Sequence, residues 1–119
     1  MKPDLEILRR RLRRFARERD WEQFHTPKNL AMALSVEVAE LVEHFQWLSP
    51  DESADPPQDR RREIALEMAD ILIYLIRMAD RLDVDLTEAV MEKMDINADR
   101  FPVEQVRGRA YPPDKDKPR

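Results

Sequence analysis

The stretch Ile64-Ala65-Leu66-Glu67-Met68-Ala69-Asp70-Ile71-Leu72-Ile73-Tyr74-Leu75-Ile76 decides the fold. It lies within Asp59 to Leu82, where no glycine or proline interrupts the chain. Leu66, Met68 and Met78 favour a helix there over a strand. The run Ile71 to Ile76 is apolar all round, and such a helix is usually buried on several sides. In a chain this small, that predicts a partner subunit over one side. Two acids, Glu67 and Asp70, interrupt the apolar surface three residues apart.

Working outward, three more helices are expected. Before this one, Thr26-Pro27 is a start signal: an N-cap followed by proline at the first helical position. The helix it opens runs to about Trp47, with Leu30, Leu34, Val38, Leu41, Phe45 and Leu48 as its stripe. A first helix, from about Pro3 to Trp21, carries Leu5, Leu8, Leu12 and Phe15 on one face and a crowd of arginines elsewhere. The prolines of Ser49 to Gln58 read as a loop. Past Asp83-Val84-Asp85, Thr87 is the expected cap of a fourth helix ending near Phe101-Pro102. The expected organisation is one domain over residues 1–102 and a flexible or arm-like tail over 103–119.

Composition agrees with an all-α class. The chain has 119 residues, 42% apolar and 39% charged, with a single glycine, Gly108. A β-rich fold would need glycine at its turns. There is no cysteine, which excludes disulfides, thiolate catalysis and Cys-ligated zinc. No segment approaches the roughly 20 apolar residues of a membrane span, so the expected compartment is cytoplasmic and no membrane partner is expected. A net charge of −4 gives no general attraction for nucleic acid. Residues 1–20 do carry eight Lys/Arg, but four acids interrupt them.

The chemistry concentrates in carboxylates. Glu37 and Glu40 repeat on the second helix the spacing of Glu67 and Asp70, and residues three apart are neighbours on a helix surface. Each pair is flanked by apolar residues. Burying four carboxylates uncompensated costs several kcal/mol per ion, and like charges push protons onto some of them. A divalent cation relieves both. Oxygen ligands without thiolate select a hard ion, so Mg²⁺ is expected and Mn²⁺ could substitute. On the fourth helix Lys93, Asn97 and Arg100 share one face by spacing. They read either as a solvated basic face or as a clamp for phosphate oxygens. Trp21, His25, Trp47 and Tyr74 read either as core or as a stacking slot for a planar base.

Glu37-x-x-Glu40, 26 further residues, then Glu67-x-x-Asp70 resembles the metal-binding signature of the MazG-like all-α nucleoside triphosphate pyrophosphohydrolases. Lys93, Asn97 and Arg100 match that superfamily too. The segments Glu18 to His25, Phe45-Gln46-Trp47, Asp70 to Leu75 and Lys93-Met94-Asp95-Ile96-Asn97 resemble its dCTP pyrophosphatase branch. This resemblance implies a four-helix, MazG-like subunit in a homotetramer. It implies Mg²⁺ on Glu37, Glu40, Glu67 and Asp70, and a base held by Trp21, Trp47 and Tyr74, with His25 beside them. Leu12 stands where animal members carry a histidine.

The expected reaction is hydrolysis of a (deoxy)nucleoside triphosphate, dCTP or a modified dCTP first, to the monophosphate and pyrophosphate. Glu40 is the preferred proton acceptor, with Lys93 and Arg100 neutralising the leaving group and Asn97 orienting it. The same chemistry on dUTP, dTTP or a damaged nucleotide is an alternative, as is a non-catalytic helical nucleotide-binding module. A di-iron bundle needs Glu-x-x-His on each of two helices, and only Glu22 and His25 have that spacing.

Overall fold

A computed structural model describes residues 2–109. They form four long helices and two single turns: α1 Leu5–Glu18, α2 Pro27–Glu43, α3 Pro50–Ser53, α4 Gln58–Arg81, α5 Leu86–Arg100 and α6 Val103–Val106. No strand occurs among the described residues. The chain divides into two compact units, the first Met1–Val84, the second beginning at Asp85.

Side chains start most helices. Asp4 accepts from the Ile7 N–H at 2.9 Å, and Thr26 accepts from Asn29 at 3.1 Å with Pro27 just inside α2. Ser49 and Glu52 form a reciprocal capping box on α3, so the expected loop holds one helical turn. α5 departs from expectation at its start. Asp85, not Thr87, is its N-cap, accepting from Glu88 at 3.0 Å. An aspartate places a full negative charge at the positive end of the helix, and it comes first in the chain.

Two helices end alike. After α1, Trp21 N–H reaches Ala16 C=O at 2.9 Å and Asp20 N–H reaches Arg17 C=O at 3.1 Å. After α4, Val84 N–H reaches Ala79 C=O at 2.8 Å and Asp83 N–H reaches Asp80 C=O at 3.3 Å. Both are Schellman closures. The left-handed residue each requires is an aspartate, Asp20 at φ 53° and Asp83 at φ 54°. α2 stops at Glu43, short of Trp47, where the pattern turns irregular: the N–H groups of His44, Phe45 and Leu48 reach back three residues, and that of Gln46 reaches back four, to Val42.

In the first unit α4 packs against α2 and α1. Its core is small: Ala16, Leu30, Ile64, Ile76 and Ala79. Of the apolar run in α4, Ile76 is buried, whereas Leu72, Ile73 and Leu75 stay about 40% exposed. α2 likewise leaves Met32, Val36 and Val42 exposed. The expected burial on several sides is therefore not met within one chain. In the second unit Thr87 to Arg100 are all exposed, Met91 and Met94 among them. The part of the expected tail that is described contains α6; residues 110–119 lie outside the described residues.

Candidate functional site

The packing of α4 on α2 brings the two acid-bearing faces together. Glu37, from α2, and Glu67 and Asp70, from α4, each offer a carboxylate oxygen, and these oxygens all lie within 4.8 Å of one another. Glu37 and Glu67 are half-buried, while Asp70 is exposed. Glu37 Oε2 and Glu67 Oε2 are buried with no hydrogen-bond partner. A buried acceptor without a donor costs about 1–3 kcal/mol, and more when charged. Burial raises the Glu37 pKa, and the adjoining Glu67 and Glu40 carboxyls and the Asp70 charge push it further, to about 7. Three converging carboxylates, two with orphaned oxygens, fit a hard divalent cation. Glu40 lies outside this three-way cluster, half-buried one turn along α2 beside Glu37.

The aromatic residues divide. Trp21, 42% exposed, meets Phe15 edge-on with centroids 5.8 Å apart, and His25 lies 6.2 Å from it at a tilt. The Arg19 guanidinium sits 3.6 Å over the Phe15 ring. Phe15 thus joins this row, although its place on the α1 stripe marked it for the core. Trp47 is 86% exposed, so this chain alone does not build it into a slot. Tyr74 is half-buried on α4. Lys93, Asn97 and Arg100 are exposed on α5, in the second unit, and the Arg100 guanidinium lies 5.1 Å from the Phe101 ring.

A buried charge network went unread in the sequence. Asp80, whose side chain is 5% exposed, accepts from Arg9 Nη1 at 2.8 Å, from Arg13 Nε at 3.0 Å and Nη2, and from Arg77 Nη1 at 2.9 Å. Burial alone would raise its pKa, but the guanidinium groups of Arg13 and Arg9 outweigh it and bring it down to about 2. Arg77 is itself buried; its Nε donates to His25 Nδ1 at 3.3 Å. Burial lowers the Arg77 pKa against the pull of Asp80. The available signals were Arg77 and Asp80 three apart beyond the apolar run, and Arg9 and Arg13 one turn apart on α1.

No helix among the described residues is long and apolar enough to cross a membrane. Residues 32–111 match the MazG-like family. The mouse protein dCTP pyrophosphatase 1 is 51% identical over 111 residues, which cover 91% of this chain and 65% of that protein. The human dCTP pyrophosphatase 1 is 50% identical over 107 residues, covering 88% and 63%. The chain thus spans somewhat less than two thirds of the length of the curated relatives it matches. A crystal structure of a pyrophosphatase from Archaeoglobus fulgidus superposes with a TM-score of 0.79 at 43% identity, covering 86% of this chain and 95% of that one. Both acid pairs, on two packed helices, lie within the matched span, and on this combined ground the chain belongs to the MazG-like family.

Proposed function

We propose that the protein is a Mg²⁺-dependent nucleoside triphosphate pyrophosphohydrolase, cleaving dCTP or a modified dCTP to the monophosphate and pyrophosphate. The observation that carries this reading is the convergence of Glu37, Glu67 and Asp70 with two orphaned buried oxygens. The names of the relatives support the substrate class: dCTP pyrophosphatase 1 in mouse and human, a pyrophosphatase in Archaeoglobus fulgidus.

Glu37, Glu67 and Asp70, joined by Glu40, would hold the ion. Bound there, Mg²⁺ supplies Lewis acidity, neutralising polyphosphate charge and making water more acidic. Water attacks the α-phosphorus, its proton passes to Glu40, and the bond from the α-phosphorus to the bridging oxygen breaks. Pyrophosphate leaves with that bond's electron pair. Lys93 and Arg100 provide cationic donors for its oxygens, and Asn97 an amide donor. Trp21, Trp47 and Tyr74 supply stacking surfaces for the base, and His25 a polar edge. The exposed apolar side chains of α2 and α4 support assembly of copies, a homotetramer by family resemblance, which would also cover Trp47.

The test is pyrophosphate release from a panel of canonical and modified dNTPs, with and without Mg²⁺. Turnover that requires Mg²⁺ and favours dCTP or a 5-modified dCTP is expected. Preference for dUTP, dTTP or a damaged nucleotide would move the same chemistry to another base. Full activity in folded Glu40→Gln and Asp70→Asn variants would sink the mechanism.

A further inference from the structure

Outside the acid cluster, the least solvent-accessible polar group in the first unit is the Arg77 guanidinium. Its three nitrogens have three different fates. Nη1 donates to Asp80, Nε donates to His25, and Nη2 is buried without a partner. Asp80 is also held by Arg9 and Arg13 from α1, so the plane of the Arg77 fork is fixed from a second helix. Arg and Asp sit on α4, whereas His25 lies in the segment between α1 and α2. The network thus ties that segment to the bundle.

The bond to His25 has a direction. A guanidinium has N–H donors and no acceptor. At 3.3 Å from Arg77 Nε, His25 Nδ1 can only accept, so it carries no proton. The ring proton must then sit on Nε2, which makes no hydrogen bond among the described residues. The ring lies 6.2 Å from Trp21, an exposed aromatic face.

We infer that Arg77 is a positioning residue that locks His25 as the neutral Nε2–H tautomer, making it a one-way donor to an acceptor atom on a planar base stacked at Trp21. The acceptor would be a ring nitrogen or a carbonyl oxygen of that base. The base contact rests on the pyrophosphohydrolase reading; the tautomer does not. The groups facing His25 agree with a neutral ring. Burial, then the charges of Arg77 and Arg81, hold its pKa below the usual histidine value, against Glu22, which pulls it up. Asp80 does not reverse this, because Arg9 and Arg13 already engage it.

Two-bond proton–nitrogen correlation spectra of the ¹⁵N-histidine-labelled protein, without ligand, read the tautomer directly. The chain has one other histidine, His44, and a His44→Asn variant assigns the signals. A single neutral Nε2–H form of His25 is expected at pH 8, giving way in Arg77→Gln to mixed tautomers that protonate at higher pH. Arg77→Met removes every donor at this position, and it replaces the glutamine variant should that one not fold. Nδ1–H in the wild type overturns the proposal, as does an unchanged single tautomer in a folded variant. In turnover, the loss in the Arg77 variant should fall on KM, by about tenfold, rather than on kcat. An altered tautomer with an unaltered KM overturns the base contact. A wild type that turns over no nucleotide sinks the pyrophosphohydrolase reading and leaves the tautomer standing.

Discussion

Arg77 and Asp80 lie one turn apart on α4, joined at 2.9 Å, with side chains only 3% and 5% exposed. Asp80 gathers guanidinium groups from both α1 and α4, so one carboxylate pins two helices together. Removing it leaves the buried Arg77 guanidinium without its carboxylate partner and frees the half-buried Arg9 and Arg13 from α4. Asp80→Ala should therefore destabilise the protein by about 3–5 kcal/mol in denaturant unfolding, the usual cost of breaking a buried pair. A surface pair such as Arg14–Glu18, both well exposed, should contribute under 1 kcal/mol when removed.

Acid should weaken the same network. The Asp80 carboxyl is held down to about 2 in the fold, below its ordinary value near 3.9. The unfolded chain therefore takes up this proton first as pH falls. The stabilisation is fully present above about pH 4 and is lost as pH drops through about 2. Unfolding free energy measured from pH 5 to 2 should fall steeply in the wild type and less so in Asp80→Asn, which starts lower.

Glu37 carries the opposite sign. Its carboxyl, pushed up to about 7, is harder to ionise in the fold than in the unfolded chain. Stability should decline between about pH 4.5 and 7 as the unfolded state sheds this proton. A divalent cation removes that penalty by binding the ionised form. Addition of Mg²⁺ should then raise Tm more at pH 8 than at pH 5.5, and Glu37→Gln should flatten both dependences.

The acid cluster should trade stability for binding. Glu67→Gln and Asp70→Asn each remove one charge from three crowded carboxylates. Without metal, both variants should melt no lower than the wild type, and the Glu67 variant higher, since that group is half-buried with an orphaned oxygen. Each should lose at least about 100-fold in Mg²⁺-dependent turnover. Melting curves and pyrophosphate release on the same samples separate the two effects.

Asp20 and Asp83 occupy left-handed positions that glycine fills without a Cβ penalty. Asp20→Gly and Asp83→Gly should each stabilise the protein by about 0.5–1 kcal/mol. Alanine at either position should destabilise it, since it lacks the short polar side chain that makes aspartate tolerable there. Thermal unfolding of the four variants checks this.

The sequence alone determined the helical class, the position of α4, the start of α2 at Thr26-Pro27 and the pairing of acids at a three-residue spacing. These follow from local rules: backbone periodicity, capping and the neighbourhood of residues one turn apart. It misplaced the start of α5, because two capping residues, Asp85 and Thr87, compete within one turn. Only the tertiary structure decided that Glu37 meets Glu67 and Asp70 while Glu40 stands to the side, since that depends on how α2 rotates against α4. Only it joined Arg9 and Arg13 to Asp80, across about seventy residues of chain. As local sequence, those arginines resemble the solvated ones beside them; the difference is the carboxylate that packing brings opposite.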